Sequence, residues 1–140
     1  MIELKMIKSI IDQRTKDWDD ITKDDKVVIY NFIVDVLEYC KNNDIVFDET
    51  AGSVFIVHLT TLFKRINEDF KMEIDDEMIS QIDSDLLDIS EGISKLALKH
   101  YHKGLNPTEM FLIATHVGSM KERIKEKEMK NGKSENCHCS

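Results

Sequence analysis

At 140 residues with a formal net charge of -8, the chain can bury a single core without disulfides or a structural metal, and its acidity argues against a nucleic-acid backbone as ligand of the domain body. One Pro and five Gly are too few for the tight turns of a sandwich or barrel, and the Leu, Ile, Met, Lys, Glu and Asp content points to an all-α domain. No apolar run reaches the roughly 18 residues of a membrane helix, and MIELKMIKSIIDQR at the N-terminus is charged throughout; with neither a span nor a signal peptide, the expectation is a cytoplasmic protein without membrane contact.

Ile2, Met6, Ile7, Ile10 and Ile11 recur at three-to-four spacing within residues 2 to 16, which predicts a short amphipathic helix that packs on the domain or on a partner. The acidic, turn-prone segment from Asp17 to Asp25 interrupts it, with Thr22 or Asp24 as helix cap and Trp18 docked against the body. From about Lys26 to Asn42, Val28, Ile29, Phe32, Ile33, Val36, Leu37 and Cys40 form one broad stripe, a core helix. Cys40 reads there as a small core hydrophobe. Asp48 caps the next predicted helix, which runs to about Asn67 with Val54, Phe55, Leu59, Leu62 and Ile66 on its apolar side. A polar connection to Glu73 follows. Asp75, Asp76 and Glu77 then mark the start of a short helix to Ile82, since acidic groups suit the positive end of the helix dipole. A longer one, capped by Asp83 or Ser84, ends at Gly104, where a left-handed stop is expected. Asn106-Pro107-Thr108-Glu109 is the clearest local signal: Asn as N-cap, Pro at the first helical position and Glu at the third as capping box. The last helix is expected to reach about Lys127, leaving residues 128 to 140 disordered. Six Lys or Arg against three Glu between Lys121 and Lys133 read as a solvated helix end and tail.

Chemistry gathers at two histidines. His58 lies in the apolar stripe of the third predicted helix and Arg65 follows seven residues on; His116 lies among Leu112, Ile113, Val117 and Met120, and Arg123 follows at the same interval. Seven residues are almost two turns, so each pair shares a helix face within about 20°, and the arginine leans back toward the histidine. A neutral imidazole is a competent nucleophile toward a phosphoryl group, and the product carries a dianion that a guanidinium can pair. The remaining histidines have plainer roles. His100 and His102 suit the negative end of a helix dipole and are poorly spaced as a metal pair. Cys137-His138-Cys139 offers soft ligands that three adjacent residues cannot readily close into a tetrahedral zinc site. With Cys40 the cysteine count is three, which means free thiols. The chain lacks a Gly-rich phosphate loop, a nucleophile-elbow serine and a His-Glu-x-x-His motif, so no enzyme, cofactor or metal site is read from it.

VHLTTLFKRI around His58 and LNPTEMFLIATHVGSMKER around His116, in that order and at that interval, resemble the PTS regulation domain of sugar-responsive bacterial transcriptional antiterminators and activators. The resemblance covers about Lys26 to Lys127. It implies a compact bundle of about five helices, often dimeric, whose motif histidines come together and accept phosphate from the phosphocarrier protein or a sugar permease component. His58 and His116 match those positions and Arg65 matches the arginine after the first. The family's regulators carry two such domains in tandem with an effector domain, whereas one is found here.

The expected organisation is therefore an N-terminal amphipathic helix and linker over residues 1-20, a PTS regulation domain over 22-127 and a tail over 128-140. The expected function is transcription regulation or antitermination through a partner, with His58 and His116 as phosphoacceptors and Arg65 and Arg123 as phosphate partners. Partners would be the phosphate donor, a second copy of the chain and a larger regulator of the same kind. The alternative is a helical protein-interaction scaffold whose histidines are structural. A metal-binding protein using His100, His102 and the Cys-His-Cys tail ranks last.

Overall fold

In the computed structural model, residues 3-68 and 76-122 are described. Five helices, α1 (Leu4–Thr15), α2 (Lys23–Asn42), α3 (Glu49–Asn67), α4 (Asp76–Ser80) and α5 (Ser84–Tyr101), are followed by a sixth helical stretch, α6, described over 107-122. There is no strand among the described residues. The architecture is the all-α bundle expected, with α1 in addition to five helices.

Local signals account for the starts of α2, α3 and α6, while α5 opens at Asp83 without a side-chain cap bond. Thr22 accepts from the backbone N–H of Asp25, whose carboxylate accepts from the N–H of Thr22, a reciprocal capping box at the start of α2. Asp48 accepts from the Ala51 N–H at 2.7 Å to open α3. Asn106 Oδ1 accepts from the Glu109 N–H at 2.9 Å to open α6. The stop of α5 differs from expectation: the helix ends at Tyr101 and the left-handed residue is His102, at φ 62°, while no described glycine has a positive φ. The chain therefore turns two residues before Gly104, and beyond it the Leu105 N–H donates to Ser94 Oγ.

The core forms where α1, α2, α3, α5 and α6 meet. Phe32, Ile33 and Val36 of α2, Phe55, Leu59 and Leu62 of α3, Ile93 and Ala97 of α5, and Ile113 and Val117 of α6 are all fully buried. Val54 is a correction to the predicted stripe of α3, being 56% exposed, with Ile56 buried in its stead. The stripe centres a little further round the helix than the sequence spacing placed it. Cys40 is buried, and burial pushes its thiol up to about 12, in keeping with a core role.

The N-terminal stripe packs on the domain through Ile7 and Ile11. Ile7 and Ile11 are 1% and 2% exposed within the same core, and α1 packs on α2 and α3. Trp18 docks as expected, partly buried beneath Lys64, whose Nζ stands 5.6 Å from the ring centre. The predicted connection up to Glu73 and the helix-start residue Asp75 fall mainly outside the described residues, as does the tail. The short helix itself is present as α4. Among the described residues no helix is long and apolar enough to cross a membrane.

Candidate functional site

α3 and α6 lie face to face with their chain directions opposed. This is visible in two cross-contacts: the His58 and His116 rings, with centroids 4.5 Å apart, and the Arg65–Glu109 ion pair. On each helix the two contributing residues are seven apart, so both helices turn one face to the same seam. At about 1.5 Å of rise per residue the two cross-contacts are roughly 10 Å apart along the seam. A long side chain leaning toward its helix N-terminus can span most of that.

Arg65 does so. Its Nε donates to Glu109 Oε2 at 2.8 Å and its Nη2 to Oε1 at 3.0 Å, a bidentate pair. The same Nη2 stands 3.4 Å from His58 Nδ1 and 3.5 Å from Nε2. A nitrogen so nearly equidistant lies on the bisector between the two ring nitrogens and along the lone pair of neither. Arg65 therefore leaves the imidazole lone pair available. The Glu109 side chain is 1% exposed and that of Arg65 19%. A carboxylate so deeply buried is compatible with folding because the guanidinium pairs both of its oxygens.

The electrostatics of the seam keep both rings neutral. Burial, then the neighbouring His116, then the Arg65 charge lower the His58 pKa from 6.5 to about 3. Burial and Arg65 act on His116 in the same direction. Both histidines are partly buried, so each keeps some access to solvent. On its other side His116 meets Phe55, ring centroids 5.9 Å apart, and Phe55 stacks on Phe47 at 4.5 Å and 17°. Four rings thus run in a row from the α2–α3 connection to His58.

Three of the four predicted site residues, His58, His116 and Arg65, come together. Arg123 lies outside the described residues. Glu109 was the residue missed: read from sequence only as a capping residue, it is the counter-ion of Arg65. The signal for it was its position seven residues before His116, the interval that separates His58 from Arg65. His100 is also more engaged than a surface cap, with Nε2 2.6 Å from Asp35 Oδ2, linking α5 to α2. His102 is exposed. Among the described residues no three metal-ligating side chains gather, and the Cys-His-Cys segment lies outside them.

The fold and site define a helical bundle with a histidine pair beside Arg65. The family model for the PRD domain matches residues 31–120, and the chain belongs to that family, whose members are regulatory, non-catalytic domains of transcription regulators controlled by the phosphotransferase system. Comparison with curated proteins and with solved structures finds no match.

Proposed function

We propose that this domain is a phosphorylation-controlled regulator in which His58 and His116 accept a phosphoryl group and Arg65 pairs with it. The observation that carries the reading is the apposition of two neutral imidazoles, 4.5 Å between ring centroids, beside the Arg65 guanidinium. A neutral ring nitrogen has the lone pair that an incoming phosphorus requires, and low pKa values keep that lone pair unprotonated at cellular pH.

The donor is a phosphorylated protein of the sugar phosphotransferase system, either the phosphocarrier protein or a permease component. The bond from the donor side chain to phosphorus breaks with its electron pair returning to the donor atom, and a new N–P bond forms to the lone pair of His58 or His116. The other nitrogen of each ring keeps its proton, so charge and atoms balance. The product places close to two negative charges in a partly buried seam, where they must find cations or force packed surfaces apart. The seam between α3 and α6 is thus the bistable element, and its change is passed to a second copy of the chain or to a larger regulator acting in transcription or antitermination. Nucleic acid is contacted by that partner and not by this acidic domain.

The test is phosphotransfer in vitro from phosphoenolpyruvate through the general phosphotransfer enzymes and, separately, a charged permease component. Intact mass should show acid-labile phosphate that is lost in His58→Gln, in His116→Gln or in the double variant. A charged donor of either kind that leaves the wild type unmodified would return the domain to the class of helical interaction scaffolds.

A further inference from the structure

The Arg65 guanidinium has two hydrogen-bonding edges, and Glu109 occupies one of them. Nε–H and one Nη2–H are taken by the carboxylate. Among the described residues both N–H groups of Nη1 meet no partner, and the second N–H of Nη2 faces the His58 ring. We infer that Glu109 is a positioning residue of the phosphoacceptor site, clamping Arg65 so that its second edge faces the histidine pair and receives the phosphoryl oxygens. This rests on the phosphoacceptor reading above and assigns to it a residue that does not itself touch the reacting atoms.

The geometry carries the inference in three steps. Arginine has five donors in a rigid plane, so fixing one edge by two bonds fixes the direction of the other. Glu109 is itself immobile, since its side chain is buried and it sits in the first turn of α6 with its N–H bound to Asn106. The clamp is also anchored on the helix that carries His116, so the guanidinium is held in register with both rings at once. An arginine without that anchor would spread over its rotamers, and each hydrogen bond to phosphate would have to order it anew.

A competing arrangement predicts the opposite. If Glu109 merely competed with phosphate for Arg65, its removal would free the guanidinium and favour phosphorylation. Phosphoramidate, a small-molecule phosphoryl donor, separates the two without any partner protein. Under positioning, Glu109→Gln, which keeps the shape and removes the charge, should slow phosphate uptake at His58 and His116 by tenfold or more. The same substitution placed in an Arg65→Gln background should slow uptake no further, since Glu109 acts through Arg65. Uptake by Glu109→Gln equal to or faster than wild type would overturn the inference, as would an undiminished effect in the Arg65→Gln background.

Should either variant fold poorly, the wild type decides alone. With arginine labelled by nitrogen-15, the Arg65 Nε–H resonance should stay protected from exchange after phosphorylation, while the Nη protons shift. Loss of Nε–H protection on phosphorylation would mean that Arg65 leaves Glu109, and the clamp would be refuted. A wild type that takes no phosphate would remove the functional reading and this inference together, an outcome distinct from a wild type and a variant that take it equally well.

Discussion

The depressed pKa of His58 makes stability depend on pH in a way that one substitution isolates. In the folded chain His58 titrates near 3, against 6.5 without its neighbours. Unfolding therefore takes up a proton wherever the pH lies between these values, and stability contributed by the neutral ring is present above about 6.5 and lost as pH falls toward 3. At pH 5 the loss attributable to this one ring is roughly 2 kcal/mol, from about 1.4 kcal/mol per pH unit over the interval below 6.5. Urea unfolding, followed by far-UV circular dichroism or by the single tryptophan, Trp18, measures it at about pH 7.5 and pH 5. The wild type should lose roughly 2 kcal/mol more than His58→Gln across that interval. His116, shifted in the same direction, is retained in both proteins and largely cancels from the comparison. Equal losses in the two proteins would refute the argument that His58 is held neutral by its surroundings, and with it the availability of its lone pair at mildly acid pH.

Other outcomes follow from the same structure. Arg65→Ala leaves the Glu109 carboxylate buried without its partner and should cost about 3 to 5 kcal/mol in urea unfolding near neutral pH. Intact-mass analysis should find one phosphoryl group per chain on the His58–His116 pair and not two. Two such groups on rings whose centroids are 4.5 Å apart repel by several kcal/mol even at an effective dielectric of about 20, more than the Arg65 guanidinium, already paired with Glu109, can offset. Ile7→Ala should lower stability by about 2 to 4 kcal/mol, because α1 belongs to the core; a loss well below 1 kcal/mol would detach α1 from the folding unit. The Tyr101 hydroxyl is buried with no hydrogen-bond partner among the described residues, so Tyr101→Phe should be neutral or stabilising by about 1 kcal/mol on thermal unfolding.

How far the sequence could be read depended on whether a residue's role was local. Thr22, Asp48 and Asn106 cap helices through neighbours three residues away, and their caps were legible because only backbone geometry is involved. Spacing along one helix likewise put Arg65 on the face of His58. What spacing could not supply was the opposite wall. Nothing within α6 alone says that Glu109 meets an arginine 44 residues earlier, or within α5 that His100 meets Asp35. Because α3 and α6 run antiparallel, the residue of α6 that meets Arg65 lies before His116 and not after it. The expected stop at Gly104 failed for a different reason: left-handed backbone costs a histidine little at a helix end, and His102 adopted it first.

The row of rings from Phe47 through Phe55 and His116 to His58 limits the directions in which His116 can be enlarged. One side of the imidazole faces Phe55 and another faces His58, so a substituent can be accommodated only by pointing outward or by pushing the neighbouring ring aside. In the second case Phe55 cannot yield without disturbing its stack with Phe47, and Phe47 is seated at the corner where Asp44 takes its left-handed turn between α2 and α3. A substituent on His116 that pushed Phe55 aside would thereby load a corner separated from α6 by three helices.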